Sequence, residues 1–195
     1  MMERQRLDEA LATLGALLEE RGEHIGVLVI GGGSLLLLGV VERPTADVDV
    51  VGYPSTVGYT KAETLPGFLA TAVRDVGDAL GLGPGWFNTG PAGLIDLGLP
   101  TGLEDRVTVQ TYGTLEIHLP ALQDLVCFKL YATVDQTERS KHFKDLQALA
   151  PTADELLSAA RWARTHDPSP GFLGELLRIL WLLDVEVSDG DLAIQ

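Results

Sequence analysis

Residues 25–38 contain two apolar runs, IGVLVI and SLLLL, on either side of the glycine triplet at residues 31–33. The first run is rich in β-branched residues and is bounded by glycines, which is typical of a strand buried within a sheet. The triplet ends this strand, and the following apolar run predicts a short buried helix with Ser34 as its N-cap. A buried strand that leads directly into a buried helix favours an α/β fold.

Apolar periodicity and turn residues predict the other elements. Helical spacing predicts helices over 3–21 and 61–80, and ADVDVVG at 46–52 predicts a second strand. The turn-rich stretch at 81–93 predicts a surface loop, and alternation predicts adjacent strands at 106–112 and 114–119. From Pro120 onward the pattern is helical, over roughly 121–134, 140–149, 152–165 and 171–183.

This order of elements predicts an α/β (α+β) protein with a mixed sheet and flanking helices. We expect a core at residues 1–120 and a helical C-terminal part at 121–195 that packs on it. A chain of 195 residues is long enough for such an arrangement with a real core.

Composition limits the classes of partner. The formal net charge of −14 argues against a broad basic face that grips a nucleic-acid duplex. The chain has one cysteine, so it forms no internal disulfide, and a reducing compartment is the expected setting. No apolar run reaches the ~18 residues that a membrane span needs. We therefore expect a cytoplasmic protein with no membrane partner.

One segment departs from the acidic composition. Residues 129–144 hold four cations, Lys129, Arg139, Lys141 and Lys144, against two anions, Asp135 and Glu138. Such a basic island suits an anionic small molecule or one end of an RNA.

Asp47 and Asp49 stand in an otherwise apolar strand. In an extended strand the two side chains point to the same face, with α-carbons roughly 6.5–7 Å apart. Two carboxylates side by side suit a hard divalent cation, above all Mg²⁺, whose remaining ligands are commonly substrate phosphates. The alternative is a strand edge that faces water, where two aspartates have no role.

The glycines of residues 31–33 and Ser34 form a second candidate site. Backbone N–H groups at a glycine turn that opens a helix can hold phosphate. The sequence lacks the Lys-Ser/Thr of a P-loop and the spacing of a dinucleotide fingerprint. A simple strand-to-helix turn is the alternative. The glycines precede the aspartates by about sixteen residues, which is enough for a short helix that returns the chain to an adjacent strand.

Lys129 lies in the middle of the apolar stripe of one predicted helix, and Asp145 lies beside the apolar set of another. A lysine in such a stripe either extends to solvent or is held inside for a reason. The two residues can therefore belong to an active site, or can form a structural ion pair between helices.

Three segments together resemble a known family. They are IGGGSLLLLGVVERPTADVDVVG, LQDLVCFKLYA and RSKHFKDLQAL. The chain resembles the minimal nucleotidyltransferases of the DNA polymerase beta superfamily, and more narrowly their AbiEii-like branch, which includes toxins of bacterial toxin–antitoxin systems. The family elements fall on Gly31 to Ser34, on Arg43, Thr45, Asp47 and Asp49, on Lys129, and on Lys144 and Asp145.

The resemblance implies a Mg²⁺-dependent transfer of a nucleoside monophosphate from an NTP. It implies that Asp47 and Asp49 hold the metal, that Gly31, Gly32, Gly33, Ser34 and Arg43 bind the nucleotide, and that Lys129 and Asp145 complete the catalytic set. The implied acceptor is tRNA, a protein or a small molecule, and the implied partner is a cognate antitoxin.

Many members of the superfamily carry a third carboxylate on a neighbouring strand. Glu116 and Asp96 are the candidates for it in this sequence. If neither residue serves, the alternatives are that Asp145 takes this role, or that the chain is an idle nucleotide-binding or protein-interaction module of the same fold.

Overall fold

The structure is a computed structural model that describes residues 1–187 and 189–192. The chain divides into two compact units, Met1–Pro120 and Ala121–Gln195. The first contains a sheet with helices, and the second is helical.

Residues 1–120, all of which the structure describes, contain six strands in one mixed sheet. The strands are β1 (Ile25–Ile30), β2 (Val48–Ser55), β3 (Gly58–Lys61), β4 (Phe87–Asn88), β5 (Thr108–Tyr112) and β6 (Leu115–Leu119). Their order is β3-β2-β1-β6-β5, and β4 also pairs with β2. β1 runs parallel to β6 and antiparallel to β2. This mixed sheet confirms the predicted fold class.

The helices of this unit are α1 (Arg4–Glu20), α2 (Gly31–Leu37), α3 (Gly67–Leu80) and α4 (Leu94–Leu97), with 3₁₀ turns at Gly90–Gly93 and Leu103–Asp105. The apolar stripe of α1 lies in the core with side chains of α3 and the sheet. β6 alternates as predicted, because Leu115, Ile117 and Leu119 are buried while Glu116 and His118 are partly exposed. Each fully buried leucine of this core stabilises the fold by about 1.5–3 kcal/mol.

A hydrogen-bond chain from α1 reaches the C-terminal end of α2. Tyr112 donates to Asp8 Oδ1 at 2.7 Å, and Arg4 Nε donates to Asp8 Oδ2 at 2.6 Å. Arg4 Nη1 then donates to the carbonyl oxygens of Leu36 and Leu37, at 3.0 and 2.5 Å. A cation is favourable at this end of a helix, where carbonyls lack intrahelical partners. Burial and the neighbouring Asp8 raise the pKa of Tyr112.

Three predicted elements differ from the structure. The strand predicted at 46–52 is Val48–Ser55, so Asp47 lies just before it and only Asp49 is in the strand. The helix expected over 61–80 begins at Gly67, after the N-cap Pro66, and Gly58–Lys61 is a strand instead. Proline disfavours helical geometry in the residue before it, which explains the late start. The loop expected at 81–93 contains strand β4 and buries Trp86 and Phe87, so its prediction as an exposed loop was wrong there.

The second unit has its helices where the periodicity predicts them: α5 (Leu122–Gln136), α6 (Lys141–Leu149), α7 (Ala153–His166) and α8 (Pro170–Leu182), followed by a 3₁₀ turn at Asp189–Leu192. A capping box between Thr152 and Glu155 begins α7. Arg164 donates to three carbonyl oxygens of the α7–α8 connection, those of residues 167, 168 and 169. These contacts fix the turn between the two helices.

Over residues 1–187 and 189–192, no helix combines the length and the apolar character that crossing a membrane requires.

Candidate functional site

Strand register brings the glycine triplet to Asp49. Ile30, the last residue of β1, is the register partner of Asp49 in β2. The next residue, Gly31, has φ +81° and begins α2. A Cβ built at Gly31 would overlap Asp49 Oδ2. The carboxylate therefore lies directly against the start of the glycine turn.

Arg43 reaches the second glycine of the same turn. A Cβ at Gly32 would lie 3.3 Å from Arg43 Nη2 and 3.0 Å from Thr45 Oγ1. Both distances are at the tight end of normal packing, so the guanidinium lies over the backbone of Gly32. A carboxylate and a guanidinium thus contact consecutive glycines.

The loop that carries Arg43 and Asp47 is held by the N-terminal residues. Met2 N donates to Thr45 O at 2.6 Å, and Thr45 N donates to Met2 O at 2.9 Å. Thr45 Oγ1 donates to the carbonyl oxygen of Asp47 at 3.1 Å. Asp47 directly precedes Val48, the first residue of β2, and a Cβ at Gly33 would lie 3.2 Å from Asp47 O.

Ser34 does not act as the predicted N-cap. The helix α2 begins three residues earlier, at Gly31, and its N-cap position is Ile30. The Ser34 side chain is fully buried, and its hydroxyl donates to Gly31 O at 3.1 Å. The N-cap prediction was wrong because glycine in the left-handed region already turns the chain into the helix.

Asn88 lies beside Asp49 and was absent from the predicted site. β4 pairs in parallel with β2, and Asn88 is the register partner of Asp49. Asn88 Nδ2 donates to Asp49 Oδ1 at 3.3 Å. The sequence signal was the aromatic pair Trp86-Phe87 directly before Asn88, which marks a short buried strand inside a turn-rich segment.

The donor set fits a magnesium ion that completes its coordination with substrate. Asp47 and Asp49 offer carboxylate oxygens, the ligands that Mg²⁺ prefers, and such sites commonly use one or two carboxylates plus phosphates. Among the described residues, no three His, Cys, Asp or Glu side chains cluster tightly enough to hold a metal by themselves. Asp47 and Asp49 are the residues of this turn that could hold such a metal.

The third-carboxylate candidates lie in other environments. Glu116 is the register partner of Gly26, four residues before Ile30, so it lies ~13 Å along the sheet from the level of Asp49. Its carboxylate is 3.5 Å from His118 Nε2. Asp96 forms an ion pair with Lys61. The strand register thus keeps Glu116 away from the glycine turn.

Lys129 and Asp145 meet in the helical unit. Lys129 Nζ donates to Asp145 Oδ2 at 2.7 Å, and their side chains are only 3% and 1% exposed. Burial of two charges costs several kcal/mol per ion unless they are paired, so each residue requires the other. The contact agrees with a structural ion pair and with a site pair, and both interpretations remain.

The basic island is smaller at the surface than the sequence suggests. Lys129 is buried, whereas Arg139, Lys141 and Lys144 are exposed. Glu138 is paired with Arg178 at 2.7 Å, which lowers the pKa of its carboxyl.

A family model described as "Nucleotidyltransferase of unknown function (DUF6036)" matches residues 5–148. No curated protein and no solved structure matches the chain. The matched segment includes the glycine turn, Arg43, both aspartates and the Lys129–Asp145 pair. It covers well over half of the sequence, and the chain therefore belongs to this nucleotidyltransferase family.

Proposed function

We propose that this protein is a Mg²⁺-dependent nucleotidyltransferase that moves a nucleoside monophosphate from an NTP to an acceptor hydroxyl. In this reaction the acceptor oxygen forms a bond to the α-phosphorus, the bond to pyrophosphate breaks, and the acceptor loses its proton. The family assignment supports the class of reaction. The proposal adds the metal, the substrate and the residues.

One observation carries the proposal. The Asp49 carboxylate and the Arg43 guanidinium lie against consecutive glycines, Gly31 and Gly32, at the junction of β1 and α2. A triphosphate–metal complex carries both signs of charge, and it needs a carboxylate for the metal and a cation with backbone N–H groups for phosphate. The turn offers both within one small region.

Each residue has a defined part in the proposal. Asp47 and Asp49 would hold Mg²⁺, which when bound neutralises negative charge on the triphosphate. Arg43 would pair with a phosphate through its planar guanidinium, and the backbone of residues 31–34 would face the same group. The resemblance also assigns Lys129 and Asp145 to the catalytic set, and the proposal keeps that assignment, with the lysine as a further cation. Catalysis of this kind depends on positioning and charge neutralisation.

The proposal extends to the AbiEii-like, toxin-type branch that the sequence motifs resemble. The acceptor would be tRNA, a protein or a small molecule, and an antitoxin would be the regulating partner in the cytoplasm. The exposed cations Arg139, Lys141 and Lys144 support an anionic acceptor such as the end of a tRNA.

One observation favours a second candidate, a module that binds nucleotide without transferring it. The strand neighbour of Asp49 is Asn88, whose amide cannot accept a proton from an acceptor hydroxyl. Glu116, the strand residue proposed for that task, lies far along the sheet.

The test is a thermal-shift titration with each NTP, with and without Mg²⁺, on wild type and on the Asp47→Asn/Asp49→Asn variant. A ligand that binds only the folded state at 100 times its Kd stabilises it by ~2.7 kcal/mol. The control is Asp75→Asn/Asp78→Asn, which removes two carboxylates from α3 in the same unit.

We expect a Mg²⁺-dependent shift in wild type and in the control, and none in the Asp47/Asp49 variant. Transfer of an α-³²P label to a cell extract then separates the two candidates. Nucleotide binding without transfer supports the idle module, and no shift with any NTP would contradict both.

A further inference from the structure

Asn88 is held on a strand that is anchored on both sides. Trp86 is buried and donates through Nε1 to Val73 O of α3 at 3.0 Å. Val48 N, at the start of β2, donates to Trp86 O at 2.7 Å. Phe87 is also buried. The backbone that carries Asn88 is therefore fixed relative to both α3 and the strand of Asp49.

The contacts of Asn88 also fix the orientation of its amide. Gly90 N donates to Asn88 Oδ1 at 2.8 Å, and Asn88 Nδ2 donates to Gly85 O at 3.2 Å. These two contacts place the amide oxygen toward Gly90 and the NH₂ group toward Gly85. The NH₂ group is the side that faces Asp49 Oδ1.

The two oxygens of Asp49 consequently have different neighbours. Oδ1 accepts from Asn88, and Oδ2 lies against Gly31. The direction of a carboxylate decides where a ligand of that carboxylate is held, and the groups that orient ligating side chains commonly govern metal affinity.

We propose that Asn88 is a positioning residue that sets the direction of the Asp49 carboxylate at the glycine turn. The inference rests on the proposed function for its effect on metal and nucleotide, while the orientation itself can be measured without any ligand. Asparagine suits this position because its NH₂ group donates, whereas an aspartate would repel Asp49 and an apolar residue would leave Oδ1 without this donor.

The experiment compares wild type, Asn88→Ala, Asn88→Asp and the control Thr89→Val. The Asp variant keeps the size of the side chain and an acceptor for Gly90 N, and it replaces the NH₂ donor with a carboxylate oxygen that repels Asp49. Thr89→Val removes the neighbouring hydroxyl, which donates to Glu63 O at 3.4 Å and does not involve Asp49.

The first readout is a crystal structure of each metal-free protein. In both Asn88 variants we expect the Asp49 carboxylate to rotate away from Gly31, while wild type and Thr89→Val keep it there. An unchanged carboxylate in Asn88→Asp, or in Asn88→Ala if only that variant folds, overturns the proposal.

The second readout is the Mg²⁺ concentration that gives half of the NTP-induced thermal shift. Asn88→Ala should raise it about tenfold, with recovery of the full shift at high Mg²⁺, because loss of an orienting partner commonly weakens metal binding 10–100-fold. If Asn88 has only a structural role, Asn88→Ala lowers the melting midpoint and leaves this Mg²⁺ concentration unchanged. That result also overturns the proposal. If wild type gives no NTP-induced shift, the proposed function fails. The crystal structures of the variants still test whether Asn88 orients the Asp49 carboxylate.

Discussion

The Asp49 carboxylate occupies the space that a side chain at Gly31 would need. Oδ2 of Asp49 would overlap a Cβ at that position, and Gly31 also has a φ of +81°, which L-residues rarely adopt. Gly31→Ala should therefore remove the Mg²⁺-dependent NTP shift and also lower stability. The backbone part of the loss is about 1–2 kcal/mol, and displacement of Asp49 adds to it. Urea unfolding and the thermal-shift titration measure the two effects.

Gly39 provides a matched control for that substitution. It has a similar φ of +72°, but a Cβ there would meet nothing within 4 Å. Gly39→Ala should show the backbone cost alone and keep the NTP response. Equal effects of the two substitutions on the NTP response would mean that the contact with Asp49 has no importance.

The buried Lys129–Asp145 pair permits a test of its two interpretations. Lys129→Met or Asp145→Leu breaks the pair while its other charge stays buried, and should destabilise the protein by about 3–5 kcal/mol. The double variant removes both charges and should regain most of that stability, because apolar replacement of a buried pair is often neutral. Chemical denaturation of the three variants gives these energies.

The NTP response of the stable double variant then decides between the interpretations. Our proposal keeps both residues in the catalytic set, so the double variant should fold and yet bind MgNTP poorly. A double variant that binds MgNTP like wild type would show that the pair is only structural.

Arg4 should contribute to stability through α2. Its guanidinium binds the carbonyl oxygens of Leu36 and Leu37 at the C-terminal end of that helix. Arg4→Met should destabilise the protein by about 1 kcal/mol, a reduced value because the arginine side chain is 44% exposed. Arg74→Met is the comparison, since Arg74 is 67% exposed and forms only a loose pair with Asp75 at 3.6 Å. A loss no greater than that of Arg74→Met in urea unfolding would contradict the capping role.

Tyr59 should produce a stability change at alkaline pH. Burial, with a smaller contribution from Glu104, raises the pKa of Tyr59 from 10.0 to about 12. Its hydroxyl is also 2.8 Å from His118 Nδ1. Between pH 10 and about 12 the unfolded chain loses the Tyr59 proton while the folded protein keeps it. The free energy of unfolding must therefore fall as the pH rises through this window.

Tyr59→Phe should reduce that fall, because phenylalanine has no proton to lose. Absorbance at 295 nm reports tyrosine ionisation, and the difference between wild type and Tyr59→Phe isolates Tyr59. A difference titration centred near pH 10 would contradict the raised pKa.

The elements that could be predicted from sequence are those with a regular apolar period. The stripe of α1, the buried run of β1, the alternation of β6 and the helices α5 to α8 all follow from local patterns. β3 and β4 could not be predicted this way, because four- and two-residue strands are too short for a period to appear. Their position depends on pairing with β2.

The residues of the candidate site likewise divide into those that sequence motifs predict and those that only strand pairing reveals. The motifs gave Gly31, Arg43 and Asp49 as candidate residues, and the structure brings these three together at one turn. Their site roles stay predictions. Asn88 carries no motif, and only the pairing of β4 with β2 reveals its contact with Asp49. Glu116 is of the right residue type for a third carboxylate. Its register partner is Gly26, however, which places it too far along the sheet from Asp49 for that role.

By itself, the sequence determined the class of fold, most of the helices and the residue types at the glycine turn, because these depend on local periodicity and on spacing along the chain. Only the tertiary structure decided which side chains meet. Strand register sets Ile30 beside Asp49 and Asn88 beside Asp49, and it sets Glu116 at the other end of β1. Register is a property of paired strands, and residues that are far apart along the chain, such as Asp49 and Asn88, become neighbours only when the sheet forms.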